Sequence, residues 1–398
     1  MIRPEYNLTD PFIYRVPTVD YITCGRVLQT GRLTLTKPCL DGWNLPIFAQ
    51  NPEDGVKLCS QSLAHYLYRF PKVFPNYRFP DSFFEDLKNI DLTCPQLALV
   101  CFVAFLLTIG RHYFVKQFVL PLMPLLGVPI LHRHKFPECI WKFLYYLVTW
   151  SFSLYVHIFS GRYRTFQDPL SVWESWHEGY PPRVYWDIHF IYVTQAAFYV
   201  HSIYATLYMD IWRKDSTLMC IHHFIALALI GLSYGSGHVL EGAFVVFLHD
   251  NTDMMLELTK LSVYLKKREN GEYYPWLNVL GNVSFVSFAI MWFVFRLYWY
   301  PLKLLYMTVY GGVYLGPQDS PFYAYLGIML MVLLFMNIYW FNFIVRMVIR
   351  VCQTGEEPED NREFDTVAVS GIPKEKLSEL ARVGKLAAAT KEIKKKGD

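Results

Sequence analysis

Charged residues are scarce in this sequence. Lysine, arginine, aspartate and glutamate make up 18% of its 398 residues, whereas hydrophobic residues make up 53% and aromatic residues 18%. A soluble domain carries about a quarter charged residues, so this balance favours lipid as the solvent. The net charge is only +3, and no basic stripe is interleaved with aromatic residues, so we expect no nucleic-acid partner.

Metal-binding patterns are also missing. None of the eight cysteines forms a C-x-x-C pair, so a thiolate zinc site is not expected. A di-iron lipid hydroxylase or desaturase would need more histidines at short spacings, including an H-x-x-H-H box. Apart from His222 and His223, only His132 and His134 lie close together in the sequence. The sequence therefore predicts no metal site and no bound cofactor.

The N-terminal region contains no apolar run long enough to cross a membrane before residue 96. The first ten residues also lack the pattern of a cleavable signal peptide, so we expect insertion to begin at an internal span. Asn7 begins an Asn-Leu-Thr sequon, which would be glycosylated in a lumenal segment. We divide the chain into a lumenal segment at 1–95, a membrane domain at 96–350 and a charged cytosolic tail at 351–398.

Seven apolar runs approach the roughly 20 residues that a membrane-spanning helix needs. They predict an all-α polytopic membrane protein with about seven transmembrane helices, at residues 96–115, 139–159, 186–208, 217–234, 239–257, 280–300 and 323–349. The stretch 118–131 is apolar too, but Pro121, Pro124 and Pro129 argue against a straight helix. We therefore expect an interfacial or re-entrant connector there.

Lysine and arginine are distributed unequally between the predicted loops. If the N-terminus is lumenal, most of these residues fall in cytosolic loops and in the tail, and Lys303 is assigned to a lumenal loop. The positive-inside rule therefore favours a lumenal N-terminus and a cytosolic C-terminus. Lys395 and Lys396 fit a dilysine retrieval signal on the cytosolic side, which predicts a multi-pass protein of the endoplasmic reticulum membrane.

Ionisable residues cluster in the fourth and fifth predicted spans. The fourth span carries His222 and His223, and the fifth carries His249, Asp250, Asp253 and Glu257. Each such residue costs at least about 2.5 kcal/mol inside a bilayer, so it marks a functional site by default. At about 100° per residue, Asp250, Asp253 and Glu257 share one face of their helix.

The predicted depths of these residues match. His222 lies about 7.5 Å below the predicted cytosolic surface, and Asp253 and Asp250 lie about 6 and 10 Å below it. The short connection between their spans makes the two helices antiparallel neighbours. His201 on the third span could join them, whereas Arg296 is assigned to the lumenal end of the sixth span, where it would snorkel.

Histidines beside carboxylates suit acyl transfer. Imidazole exchanges its proton near neutral pH, and a carboxylate can hold one tautomer of the ring. The histidine could act as a general base, or it could attack an activated acyl group directly. Because adjacent helical residues point about 100° apart, His222 and His223 cannot both face the same atom. One would react while the other orients it or contacts a neighbour.

These residues resemble the Lag1 motif of the ceramide synthases. The resemblance rests on residues 201–215, on Ile221-His222-His223 and on Leu248-His249-Asp250-x-x-Asp253-x-x-x-Glu257, and it continues into residues 295–303, 337–341 and 361–365. It covers about residues 135–366, which corresponds to a TLC-type membrane domain. The connector at 116–138 leaves no room for the homeobox-like insertion of many members, so the chain looks most similar to the type 1 branch.

The resemblance implies N-acylation of a sphingoid base by a fatty acyl-CoA, through an acyl group carried on His222. Acyl-CoA is then a substrate rather than a cofactor, the chain is surrounded by membrane lipids, and a homo- or heterodimer is allowed. Carried over by position, the catalytic residues are His222, His223, Asp250 and Asp253, and the expected substrate-binding residues are His201, His249 and Glu257. The alternative is a non-enzymatic TLC-type protein that binds or senses lipid, or that assists a translocon.

Overall fold

The computed structural model describes residues 25–27, 33–35, 81–88, 90–176, 184–210, 212–312 and 322–354. The α-helices of this part are α1 (Asp81–Lys88), α2 (Cys94–Phe114), α3 (Leu120–Leu125), α4 (Phe136–Leu154), α5 (Trp186–Tyr208), α6 (Ser216–Gly235), α7 (Val239–Leu265), α8 (Pro275–Met291) and α9 (Tyr323–Thr354). Two short strands, β1 (Gly25–Val27) and β2 (Leu33–Leu35), form an antiparallel ribbon. This small ribbon apart, the all-α class is confirmed. Asn7, Lys395 and Lys396 lie outside the described residues.

The distribution of polarity is that of a protein in lipid. Large apolar side chains such as Phe105, Phe224 and Phe335 are exposed on the outside, whereas Asp250 and Asn337 are buried. An apolar periphery around buried polar groups is expected when the solvent is hydrocarbon. In the described part of the chain, four helical stretches are long and apolar enough to cross a membrane, namely Cys94–Leu125, Ser216–Gly235, Pro275–Val309 and Tyr325–Gln353. A multi-pass membrane protein is confirmed, and the count of seven spans stays a prediction.

The first long helix extends further than the sequence indicated. After α2 the chain makes a π-helical turn, Val115–Val119, and then continues into α3. The Leu120 N–H bonds to the Val115 carbonyl, five residues back. Pro121 has no N–H to donate, and its ring would normally clash with the carbonyl group one turn earlier. Because the turn before it is already widened, this clash is relieved. The predicted connector at 118–131 was wrong in its first half, because the helix ends only at Leu125.

α7 lies at the centre of the bundle. It packs against α4 and α8 and also contacts α5 and α6. Residues 236–238 join α6 to α7, and Gly237 has a φ of 84°, a left-handed conformation that allows so short a reversal. The two helices are antiparallel neighbours, as the short connection predicted. α7 also continues about two turns beyond residue 257, to Leu265.

α8 continues into a wider, π-helical segment, Trp292–Gly311, which carries two cations into the interior. Arg296 is 3% exposed and Lys303 is 1% exposed. The predicted snorkelling of Arg296 was therefore wrong, as was the assignment of Lys303 to a loop. Both cations have internal partners, because Arg296 pairs with the Asp253 carboxylate and Lys303 donates to the Phe166 carbonyl. Hydropathy alone cannot reveal such partners.

Candidate active site

The two adjacent histidines of α6 face different neighbours. The ring of His222 lies 5.3 Å from that of Trp340 on α9, nearly perpendicular to it. The ring of His223 lies 5.7 Å from that of Tyr199 on α5. The two imidazole centroids are 5.8 Å apart, and each Nδ1 atom is buried without a hydrogen-bond partner among the described residues. The expected divergence of the pair is thus present.

His249 on α7 is held in one tautomer by its surroundings. Its Nδ1 atom lies 2.8 Å from the Val245 carbonyl oxygen, which can only accept a hydrogen bond. The Asn337 side chain lies 3.2 Å from the other ring nitrogen, Nε2, and its amide group can donate there. This pattern assigns a neutral ring with its proton on Nδ1. His249 therefore presents a fixed ring whose Nε2 is already occupied by Asn337.

Asp250 is held by side chains of two other helices. Gln195 Nε2 on α5 donates to its carboxylate at 2.5 Å, and Thr149 Oγ1 on α4 donates at 3.3 Å. Asp250 is 1% exposed, so these donors compensate for part of the cost of its burial. Neither donor was identified from the sequence, although a glutamine within an apolar span itself indicates a buried polar partner.

Asp253, one turn further along α7, points to a different partner. Its carboxylate forms an ion pair with Arg296 at 2.8 Å, and the same guanidinium donates to the His249 carbonyl oxygen at 2.8 Å. The guanidinium also stacks over the Trp292 ring at 4.0 Å. The structure therefore separates the two aspartates by partner, because Asp250 is bound to neutral donors and Asp253 to a cation.

No hydrogen bond joins His222 or His223 to either aspartate within the described part of the chain. Direct orientation of the reacting imidazole by a carboxylate therefore stays a prediction. Instead, the Tyr199 ring lies 6.4 Å from the ring of His222 and 5.7 Å from that of His223. A substrate would have to enter between the histidines and the aspartates to contact both.

Glu257 and His201 lie apart from these groups. Glu257 forms an ion pair with Lys260 at 3.0 Å, and its second carboxylate oxygen is buried without a partner in the described residues. The Nδ1 atom of His201 lies 2.9 Å from Thr108 Oγ1 on α2. His201 is therefore placed against α2 rather than beside His222. Their predicted contacts with substrate stay a prediction.

A network of buried ion pairs links the ends of α2, α4, α5 and α6. Glu138 accepts from Arg213 at 3.0 and 3.1 Å and from Lys142 at 2.7 Å. Asp210 pairs with Arg111 and lies 3.4 Å from Lys142. The network was not predicted from the sequence, because its members lie at the ends of four different helices and are far apart in the sequence. Within the described residues, no group of histidine, cysteine, aspartate and glutamate is arranged to hold a metal ion.

An elongated cavity runs between α6, α7 and α9 from His222 and His249. Its polar part is small, and its wall is built from residues that recur every three or four positions along each helix. α6 supplies His222, Ala226, Leu229, Ile230 and Ser233, α7 supplies Glu241, Gly242, Val245, Val246 and His249, and α9 supplies Leu326, Gly327, Leu330 and Leu333. This spacing places each set on one face of its helix, so the cavity runs parallel to the bundle. His223 is not among the residues that line it.

Comparison with known proteins agrees with this geometry. Residues 135–346 match the family described as the TLC domain. Ceramide synthase 1 of Homo sapiens is 40% identical over 300 residues, which cover 75% of this chain and 84% of that protein. Ceramide synthase 1 of Mus musculus is 41% identical over 282 residues, covering 70% and 79%. Ceramide synthase LOH1 of Arabidopsis thaliana is 30% identical over 239 residues, covering 57% and 72%.

The fold and the histidine-lined cavity define a polytopic membrane protein of the TLC-domain class. Within that class, the extent of the match to human ceramide synthase 1 shows that this chain belongs to the ceramide synthase family.

Proposed function

We propose that this protein is an acyl-CoA-dependent sphingoid base N-acyltransferase. It transfers a fatty acyl group from coenzyme A to the amine of the base and so forms ceramide or dihydroceramide. The observation that carries this proposal is the position of His222, which lines an elongated and largely apolar cavity at the same end as His249. An acyl chain would be stabilised in such a cavity, because burial of each methylene group contributes about 0.8 kcal/mol to binding.

His222 is the residue to which we assign the acyl group. Of the two adjacent histidines, only His222 lines the cavity in which the acyl chain would lie. Its imidazole nitrogen attacks the thioester carbonyl, the carbon–sulfur bond breaks, and coenzyme A leaves as the thiolate. The resulting acyl-imidazole is then attacked by the amine of the sphingoid base, which restores the imidazole and forms the amide.

The amine must lose a proton during this second step. Asp250 and Asp253 lie on α7, the helix that packs beside α6, and we assign proton acceptance to this pair. Arg296 already compensates for the charge of Asp253, whereas Asp250 is held only by neutral donors. We therefore assign the proton to Asp250, whose carboxylate forms no ion pair among the described residues.

The test is amide formation by purified protein supplied with acyl-CoA and sphinganine. The wild type is expected to form amide, and His222→Ala and Asp250→Asn are each expected to lose at least about a hundredfold in rate. Equal rates for all three proteins would contradict the assigned roles. A wild type that binds acyl-CoA but forms no amide would favour the non-enzymatic lipid-binding alternative.

We also propose that the protein resides in the endoplasmic reticulum with its N-terminus lumenal and its C-terminus cytosolic. The excess of lysine and arginine in the predicted cytosolic loops supports this orientation. In microsomes, Asn7 is then expected to be glycosylated and protected from added protease. An unmodified and accessible Asn7 would overturn the orientation.

A further inference from the structure

The end of the cavity far from His222 is lined by a group that differs in chemistry from its walls. Glu241, His238 and Trp173 line this end, and His238 Nδ1 lies 3.3 Å from the Glu241 carboxylate. The Trp173 ring lies 5.8 Å from the imidazole of His238, which is itself 5% exposed. We call these three residues the end stop. An aromatic ring and a buried polar pair thus terminate an otherwise apolar channel.

Trp173 is fixed in place from the π-helical segment. Its indole N–H donates to the Met307 carbonyl oxygen at 3.0 Å. Lys303 precedes Met307 on the π-helical segment, and its ammonium donates to the Phe166 carbonyl oxygen at 2.7 Å. Phe166 and Trp173 both belong to the loop between α4 and α5, so this bond anchors the loop that carries the indole. The indole also packs so closely on Gly311 that a Cβ atom at that position would lie 2.3 Å from its nitrogen. The ring therefore has little freedom to move aside for a ligand.

The length of the cavity can be read from the helices beside it. On α6 the lining residues run from His222 to Ser233, and on α7 they run from His249 back to His238. Each interval is eleven residues, or about 16.5 Å at 1.5 Å per residue. A zigzag alkyl chain with carbon–carbon bonds of about 1.5 Å advances about 1.25 Å per bond. The methyl end of an extended chain of about fourteen or more carbons therefore approaches the end stop.

We propose that the end stop sets the longest acyl chain that the enzyme accepts. This inference rests on the proposed acyl transfer at His222. A methyl end that advanced further would have to displace the indole of Trp173 from its hydrogen bond. It would also press against the buried His238–Glu241 pair, to which a methyl group offers no polar contact. Trp173 is thus a specificity-determining residue, and Lys303 is a positioning residue that acts through the loop.

The experiment compares ceramide products from a mixed panel of acyl-CoA thioesters of increasing length, with purified full-length protein and sphinganine. Trp173→Ala is expected to raise product from chains about four carbons beyond the wild-type limit by at least tenfold, because each methylene that gains room is worth about fourfold. Lys303→Met is expected to shift the limit in the same direction by less. Leu229→Trp, which narrows the cavity about 10.5 Å from His222, is expected to shorten the preferred chain.

Trp186→Ala is the matched control, since that tryptophan is 67% exposed on the outside of α5 and should leave the chain-length profile unchanged. If Trp173→Ala forms no amide with any chain, Trp173→Phe decides, with a smaller shift towards longer chains expected. An active Trp173 variant with the wild-type profile would overturn the end stop while leaving the acyltransferase intact. A wild type that forms no amide with any thioester would instead refute the proposed function itself.

Discussion

Arg296 and Asp253 form an ion pair at 2.8 Å between the π-helical segment and α7, in which the guanidinium is buried and the carboxylate is partly exposed. The same guanidinium donates to the backbone carbonyl of His249, so one cation binds both the Asp253 side chain and the preceding turn of α7. Breaking a buried pair by removing one partner is costly, because it leaves the other charge uncompensated. The pair therefore fixes α7 against the π-helical segment at the turn that carries His249 and Asp253.

Arg296→Met is expected to reduce both thermal stability and amide formation, the latter at least tenfold. Asp253 is partly accessible, so the stability loss should be about 1–3 kcal/mol rather than the larger values of fully buried pairs. The double variant Arg296→Met with Asp253→Asn should recover much of the stability, because no unpaired charge remains, without recovering activity. Thermal unfolding in detergent and the amide assay measure the two effects. Additive stability losses in the double variant would show that the pair is not energetically coupled.

The division of labour between His222 and His223 can be resolved by trapping the acyl group. Wild-type protein incubated with radiolabelled acyl-CoA and without sphinganine should retain a label that hydroxylamine releases. His222→Ala should lose this label. His223→Ala should keep a measurable fraction of it, because His223 lies outside the cavity lining. Label lost only in His223→Ala would reverse the assignment, and no label in any protein would favour direct attack with histidine as a general base.

The donors to Asp250 are expected to matter as much as the carboxylate itself. Gln195→Leu removes the 2.5 Å hydrogen bond and Thr149→Val removes the 3.3 Å hydrogen bond. Both donors bond to the same carboxylate oxygen, Oδ2, so each single variant leaves the other donor in place. Each should therefore cost about 1 kcal/mol of stability, and each should slow amide formation. Thr194→Val is the control for Thr149→Val, since the Thr194 hydroxyl bonds only to backbone carbonyls of its own helix. If Thr149→Val and Thr194→Val behave alike, the contact with Asp250 contributes nothing.

Gly242 on α7 permits a close approach of α5. A Cβ atom at this position would lie 1.9 Å from the Tyr192 hydroxyl oxygen and 2.8 Å from Ser233 Oγ. Tyr192 is buried and its hydroxyl bonds to Ser233 and to the His238 carbonyl, so it has no free path outward. Gly242→Ala is therefore expected to destabilise the protein by about 2 kcal/mol or more.

Gly231→Ala on α6 provides the comparison for that variant. No atom lies within 4 Å of the Cβ that it would introduce. Because alanine has a higher helix propensity than glycine, this variant should leave the free energy of unfolding unchanged or raise it by up to about 1 kcal/mol. Thermal unfolding of both variants under one detergent condition checks the pair. A Gly242→Ala protein as stable as Gly231→Ala would show that Tyr192 can relocate.

The candidate catalytic residues could be selected from residue type and spacing alone. His222, His223, Asp250 and Asp253 interrupt apolar runs, where ionisable groups are costly, and a three-residue turn makes their helices neighbours. The partners of these residues were less predictable. Gln195 and Arg296 come from other helices, and only packing decides which carboxylate each of them meets.

The sequence by itself therefore determined the class of protein, the helical periodicity and the candidate catalytic residues, since these depend on hydrophobicity and local spacing. The tertiary structure alone decided that Arg296 turns inward to Asp253, that His222 rather than His223 lines the cavity, and that Trp173 lines its far end. The physical reason is that a buried charge or ring is stabilised by partners distant in sequence. Which partner lies within reach is settled only when the helices pack against one another.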